Sequence, residues 1–216
     1  TLGFGQQMGD ATLRNQDYPP RWAPYSDIRS SQKEGRRVTA TADVGYQLWR
    51  ARAVKVGAFV GGGMIHDRLN AFGCRQAATS TFCKTAIGEE YAYVTDDQNW
   101  RMARVGLRGE AVLFDRLRFV ADVAWIPRFF LTSRDNHWLN DAPWDILRGK
   151  GHSDNGVQGE LVVSYDITPG LSAGVGGRYT MMTLRKGEAM LAGAASPARF
   201  EYSDTSGFVQ LSYRFN

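Results

Sequence analysis

The sequence contains no run of eighteen consecutive apolar residues, which excludes a single membrane-crossing helix. It has 2 cysteines and 3 histidines in 216 residues. Two cysteines cannot complete a tetrahedral metal site, and His66 and His152 have no local partners at zinc-like spacing, so no metal and no other cofactor is expected. Cys74 and Cys83 lie in a polar, glycine-containing stretch and are not a CxxC pair. A loop disulfide between them, formed in an oxidising compartment, is the expectation; two free thiols are the alternative. The net charge of +4 is a slight basic excess. Neither a basic helix nor a basic aromatic face accompanies it, so nucleic acid is not expected as a partner. No signal peptide is visible, which is uninformative for an exported chain numbered after its removal.

What the chain does have is alternation. Val38, Ala40, Ala42, Val44, Tyr46 and Leu48 alternate with Thr39, Thr41, Asp43 and Gln47. Val209, Leu211, Tyr213 and Phe215 alternate with Gln210, Ser212 and Arg214. A period of two gives a strand one apolar and one polar face. Eight such strands are expected, over 2–8, 37–49, 53–66, 100–113, 117–131, 155–167, 171–184 and 199–215. A water-soluble sandwich shows the same alternation with its apolar side inward. The connections separate the two architectures. They are short around 50–52, 114–116 and 166–170, and long over 9–36, 67–99, 132–154 and 185–198. Tight turns at one end and long loops at the other mark an outer-membrane barrel.

The expected fold is therefore all-β, a single antiparallel transmembrane β-barrel domain over 1–216 with eight strands and its long loops outside the cell. An even count closes the sheet and removes the edges that lipid does not tolerate. A mean hydropathy of -0.36 is compatible with this, because a barrel hides its apolar residues in short alternating segments. The polar face becomes the interior and receives Asp43, Lys55, Arg104, Arg108, Glu110, Asp122, Glu160, Arg178 and Asp204. A basic residue at the lipid midplane costs roughly 2–4 kcal/mol, so the shared parity of these charges is informative, and they are expected to pair. Eight strands leave an interior about filled by side chains, which argues against a diffusion pore. Outer-membrane lipid is the expected surrounding, with flanking basic residues meeting anionic headgroups or lipopolysaccharide phosphates, and the barrel is expected to be a monomer.

The long connections carry the candidate chemistry. The third begins Thr132-Ser133-Arg134-Asp135-Asn136-His137-Trp138. Two positions apart on an extended chain, Asp135 and His137 fall on one side. The carboxylate can fix the imidazole tautomer and leave the other ring nitrogen to take a proton from water. By itself the pair also fits an ordinary polar loop. The first long connection holds Asn15-Gln16-Asp17-Tyr18, followed by Trp22, Tyr25 and Asp27. Asp17 can polarise a water across the mouth from His137, or serve as an Asx turn before Pro19-Pro20.

Strand layout, loop rhythm and the Asp135-x-His137 pair resemble the omptin family of bacterial outer-membrane proteases. So do Trp22, Asp27 and Ser30 leading into the strand near Arg37, and the turn Tyr165-Asp166-Ile167-Thr168-Pro169. The resemblance implies a ten-stranded barrel, an Asp-His dyad facing an Asp pair across the mouth, water as nucleophile, polypeptide substrates cut beside basic residues, and lipopolysaccharide as activator. By position it assigns Asp135 and His137 to the dyad, Asp17 to the second carboxylate of the facing pair, and Asn15 and Asp27 to substrate binding. The chain departs from the family in carrying Asn15 for the first facing carboxylate, Ser133 for an Asp two residues before the dyad, and eight strands rather than ten. These departures keep open a non-enzymatic barrel for envelope integrity, adhesion or surface binding, and, third, a lipid-modifying enzyme.

Overall fold

The computed structural model describes residues 2–6, 11–17, 26–81, 83–138, 145–153, 155–191 and 194–213. Their regular structure is one antiparallel sheet of β1 (Leu2–Gln6), β2 (Ala11–Asp17), β3 (Ser26–Arg50), β4 (Val54–Gln76), β5 (Ile87–Leu113), β6 (Leu117–His137), β7 (Asp145–Ser153), β8 (Gly156–Asp166), β9 (Leu171–Leu191) and β10 (Ala194–Tyr213). These ten segments form eight rows. β1 and β2 both lie along β3, with Phe4 opposite Val38 and Leu13 opposite Ser30. β7 and β8 both lie along β6, with Leu131 opposite Gly151 and Val123 opposite Gly159.

The sheet curls on itself. The Arg37 guanidinium on β3 pairs with Asp204 on β10. The Trp100 ring on β5 lies 5.3 Å from that of Tyr202 on β10, and Arg104 on β5 donates to Gln158 on β8 at 2.7 Å. Among the described residues no ladder joins β10 to β1, so the Arg37–Asp204 pair spans that seam from the inside.

Exposure decides between sandwich and membrane wall. Val44 is 79% exposed, Val123 66% and Val209 85%, and with Tyr46, Val60, Leu107, Val175 and Leu211 they cover the outside of successive rows. A contiguous apolar band of this kind is unfavourable in water and suits lipid. The opposite parity is inside. All nine charges expected there are paired: Arg104 with Asp43 at 3.3 Å, Lys55 with Glu110 at 3.2 Å, Arg108 with Asp122 at 3.4 Å, Arg178 with Glu160 at 2.5 Å, and Asp204 with Arg37. Arg118 joins the network through Glu110 at 2.5 Å and Asp166 at 3.1 Å. Gly61 is required here, since a Cβ would collide with the Asp43 carboxylate that serves Arg104.

The expected tight turns are present. Ala51 N–H donates to the Val54 carbonyl at 2.8 Å, and Leu171 N–H donates to the Thr168 carbonyl at 3.3 Å. Between β5 and β6, Phe114 and Asp115 both have positive φ, 53° and 61°. Leu113 pairs with Leu117, so the loop is the three residues Phe114-Asp115-Arg116, and its first two take the left-handed backbone that hairpin turns usually give to Asn or Gly.

The long loops are where expectation and structure part. The strand expected over 37–49 begins at Ser26, that over 53–66 continues to Gln76, and that over 100–113 begins at Ile87. The strand over 117–131 reaches His137, that over 171–184 reaches Leu191, and that over 199–215 begins at Ala194. Among the described residues the stretches 9–36, 67–99, 132–154 and 185–198 are thus largely strand, the main exception being the loop residues 77–81 and 83–86 around Cys83. Above the lipid band the outer face meets water, so polar residues occupy both faces and the period of two vanishes from the sequence while the ladder continues. A strand of 27 residues such as β5 is roughly 90 Å long at about 3.3 Å per residue, several times the apolar band of about 25 Å.

The interior is not uniformly polar either. Ile65, Trp100, Met102, Ile126, Phe129, Leu131, Met182, Leu184 and Tyr202 form one buried cluster, with Phe200 packed against it. The Trp100 and Phe129 rings lie 5.7 Å apart. Toward the tight-turn end, the charge network surrounds a cavity of about 420 Å³ lined by Asp43, Arg104, Arg118, Asp122 and Glu160. The interior is therefore divided, with an apolar layer between the mouth and a charged lower chamber. Replacing Trp100 and Phe129 together by alanine is expected to turn a non-conducting barrel into an ion-conducting one in planar bilayers. Retained heat-modifiable migration on gels is the check that the variant folds. A folded variant as silent as wild type would show that the layer is not the seal.

Candidate active site at the barrel mouth

β6 carries Asp135 and His137 at its mouth end, both facing inward because they continue the parity of Phe129 and Leu131. Asp135 Oδ2 and His137 Nε2 lie 3.4 Å apart, and both side chains are half-buried. Asp135 Oδ1 is buried and has no hydrogen-bond partner among the described residues.

β5 supplies the surroundings. Asp96 stands directly opposite Asp135 and Val94 opposite His137. The Tyr93 ring lies 5.5 Å from that of His137, and the Tyr93 carbonyl accepts from Trp138 N–H at 3.0 Å. Trp138 Nε1 donates to Thr95 Oγ1 at 2.9 Å, and Thr95 donates to Asn70 Oδ1 at 3.2 Å. Below, Trp100 Nε1 donates to Gln98 Oε1 at 3.0 Å and Gln98 Nε2 donates to Asp96 Oδ2 at 2.5 Å. A hydrogen-bonded chain thus runs from the apolar layer to the carboxylate facing Asp135. The Cys74–Cys83 disulfide is formed and packs with Ile28, Ala71, Tyr93 and Val94, so it secures the wall behind His137.

Burial pushes the Asp96 carboxyl up to about 6, against the lowering hydrogen bond from Gln98, and the charges of Asp135, Asp97 and Asp67 add to the rise. The other carboxylates nearby have cations: Asp67 is held by Arg37 at 2.6 and 3.0 Å, and Asp97 lies 3.8 Å from Arg68. No ion pair involves Asp96 among the described residues.

The facing side of the mouth follows from register. From Arg37, the ladder partners run through Asp67, Gln98, Ser133, Gly149 and Ala189 to Ser196 on β10. Arg37 nevertheless reaches Asp204, so six strand steps displace the ladder by about eight residues relative to true height, as strand tilt requires. From His137 in the other direction the partners are Val94, Ala71, Gln32 and Ala11. The same tilt over four steps corrects Ala11 by about five residues toward the mouth, to Gln16. The backbone of Asn15, Gln16 and Asp17 therefore lies at the height of His137, four rows away in a curled sheet of eight. The side chains of Asn15 and Asp17 lie outside the described residues, as do Trp22 and Tyr25. Asp27 is buried on β3 opposite Gln16, with its N–H donating to Gln76 Oε1 at 2.8 Å.

Asp96, Gln98 and Tyr93 were not anticipated from the sequence. The signal was there, since Val94, Asp96, Gln98, Trp100, Met102 and Arg104 keep one inward parity, but it was cut at residue 100 where the outer face turns polar. Among the described residues no group of three or more His, Cys, Asp and Glu side chains is arranged to hold a metal ion.

Lipid-facing band, charged interior, tight turns at one end and long strands at the other define an outer-membrane β-barrel fold. The chain is structurally similar to the crystallised outer membrane protease OmpT from Escherichia coli, with a TM-score of 0.68 at 13% sequence identity over 99% of this chain and 77% of that one. By sequence, no family model and no curated protein matches. The structural match therefore establishes a fold related to the omptin barrel.

The raised Asp96 carboxyl has a stability consequence. A carboxyl that holds its proton more tightly folded than unfolded leaves stability intact below its ordinary value of about 3.9 and erodes it as pH rises through about 6. Asp96→Asn keeps an acceptor for Gln98 and removes the charge. Its thermal unfolding midpoint in detergent is expected to exceed that of wild type at pH 7.5 and to converge with it near pH 4; equal midpoints at both values would refute the penalty.

Proposed function

We propose that the chain is an outer-membrane endopeptidase that cleaves polypeptides at the mouth with a water activated by His137. The observation that carries this reading is the Asp135–His137 contact on the inner rim, and the strand register supports a facing position for the Asn15–Asp17 backbone. With Nε2 directed at Asp135, Nε2–H donates to the carboxylate and Nδ1 is left to accept a proton from water. Asp17 holds that water from the facing wall, the resulting hydroxide attacks the scissile carbonyl, and the imidazolium returns a proton to the departing amine. Asn15 and Asp27 belong to substrate binding in this scheme.

The mouth faces the cell exterior in this reading, where polypeptides are accessible. Outer-membrane lipid surrounds the apolar band, and lipopolysaccharide serves as activator. Exposed Arg101, Arg128 and His152 support the last point: they surround Phe130 on the outer wall above the band, with Arg128 5.4 Å from the Phe130 ring centre. Asn15, standing where the facing pair would carry a carboxylate, favours the alternative of a non-enzymatic barrel for envelope integrity, adhesion or surface binding.

Digestion of a dibasic reporter peptide in detergent with added lipopolysaccharide separates the two readings. Wild type is expected to cleave, and His137→Ala to lose about a hundredfold or more, the usual worth of a general base. Asp17→Asn is expected to fall as well. Equal rates for wild type and His137→Ala, or cleavage by neither, would leave the non-enzymatic barrel.

A further inference from the structure

Two observations at the mouth have one explanation. Asp96 and Asp135 are directly opposed in the β5–β6 ladder and both face inward. Directly opposed residues in an antiparallel pair have Cβ atoms about 4.5–5.5 Å apart, and like charges there are destabilising. Yet Asp135 Oδ1 is buried with no hydrogen-bond donor among the described residues. An orphan acceptor beside a carboxyl group that can carry a proton is completed by that proton.

We propose that Asp96 is a positioning residue that shares a proton with Asp135, its carboxyl donating to Asp135 Oδ1, so that the reactive pair is the end of a chain running Trp100, Gln98, Asp96, Asp135, His137. This rests on the reading of Asp135 and His137 as the reactive pair. The chain has a direction at every link: Trp100 Nε1–H donates to Gln98, and Gln98 Nε2–H donates to Asp96 Oδ2. The other Asp96 oxygen is then the one that carries the proton toward Asp135, and Asp135 Oδ2 accepts from His137. The upward push on the Asp96 carboxyl agrees with this arrangement.

The groups around Asp96 favour the shared proton. On β6 it faces Asp135 and His137; on β4 Asp67, already neutralised by Arg37 of β3, which also holds Asp204 of β10; on its own strand Asp97, beside Arg68. The cations nearby are thus engaged with other carboxylates. Below about pH 6 the proton sits between Asp96 and Asp135, fixing the Asp135 side chain but diluting the charge that stabilises the His137 cation. Above it, Asp135 carries its full charge. Asp96 thereby adds a second proton to the acid side of the activity profile.

Infrared pH-difference spectra of the full chain in detergent micelles test this without relying on turnover. A protonated-carboxyl band titrating near pH 6 is expected in wild type and absent in Asp96→Asn. In Asp135→Asn its midpoint is expected to fall by about one unit or more, because the opposing charge is gone. A band that persists in Asp96→Asn, or a midpoint unmoved in Asp135→Asn, overturns the proposal.

With the reporter peptide at pH 5, where wild-type Asp96 carries its proton, Asp96→Asn supplies the same donor and should match wild type within about threefold, and the acid limb of its profile drops to one proton. At the same pH Asp96→Ala leaves Oδ1 orphaned and should fall on the order of tenfold below wild type, the worth of a charge-assisted hydrogen bond. Equal rates at pH 5 for the Asn and Ala variants count against it. If no variant and no wild type cleaves while the band behaves as expected, the peptidase reading fails and the shared proton stands.

Discussion

Hydrocarbon offers no hydrogen bonds, and that one constraint organises the molecule. Every backbone N–H and C=O in the band must pair with a neighbouring strand, so the chain can cross only as a curled sheet. Each residue then has two possible surroundings, lipid or the interior. Val44, Leu107 and Val209 take the first; Asp43, Arg104 and Glu160 take the second. Interior charges cannot reach bulk water freely, so each needs a partner, and the network around Arg104, Arg118 and Arg178 follows from the crossing itself.

Where the constraint lapses, the sequence changes character without a change in structure. Beyond the band β5 continues through Asp97 and Asp96 with its ladder to β6 intact, although Asp97 faces outward and Asp96 inward. Lipid made one face apolar; water makes no such demand. The strand period was legible at Val38–Leu48 because two different solvents read the two faces. It was illegible at Thr95–Gln98 because both faces meet polar surroundings. The disulfide, the tight turns and the paired interior charges were legible for similar reasons: each satisfies a local requirement visible in a few residues.

The site was half legible. Asp135 and His137 are neighbours in sequence, so their contact needed only an extended chain. Asp96 comes from another strand, and its role depends on register, which a bulge can shift by one residue, as happens between Ala103 and Val105. The apolar layer was hidden for a related reason. Ile65, Trp100, Phe129, Met182 and Tyr202 come from five strands, and each looks like an isolated exception to an inward polar parity. Only their common height makes them a layer.

That layer also fixes where a voltage falls. The lower chamber is lined by charged groups and encloses open space, whereas the layer around Trp100 and Phe129 is apolar and buried. A potential applied across the membrane drops mainly over this dielectric partition. The mouth, with Asp96, Asp135 and His137, stays at the potential of the solution it opens to. Its chemistry is electrically uncoupled from the membrane that holds it.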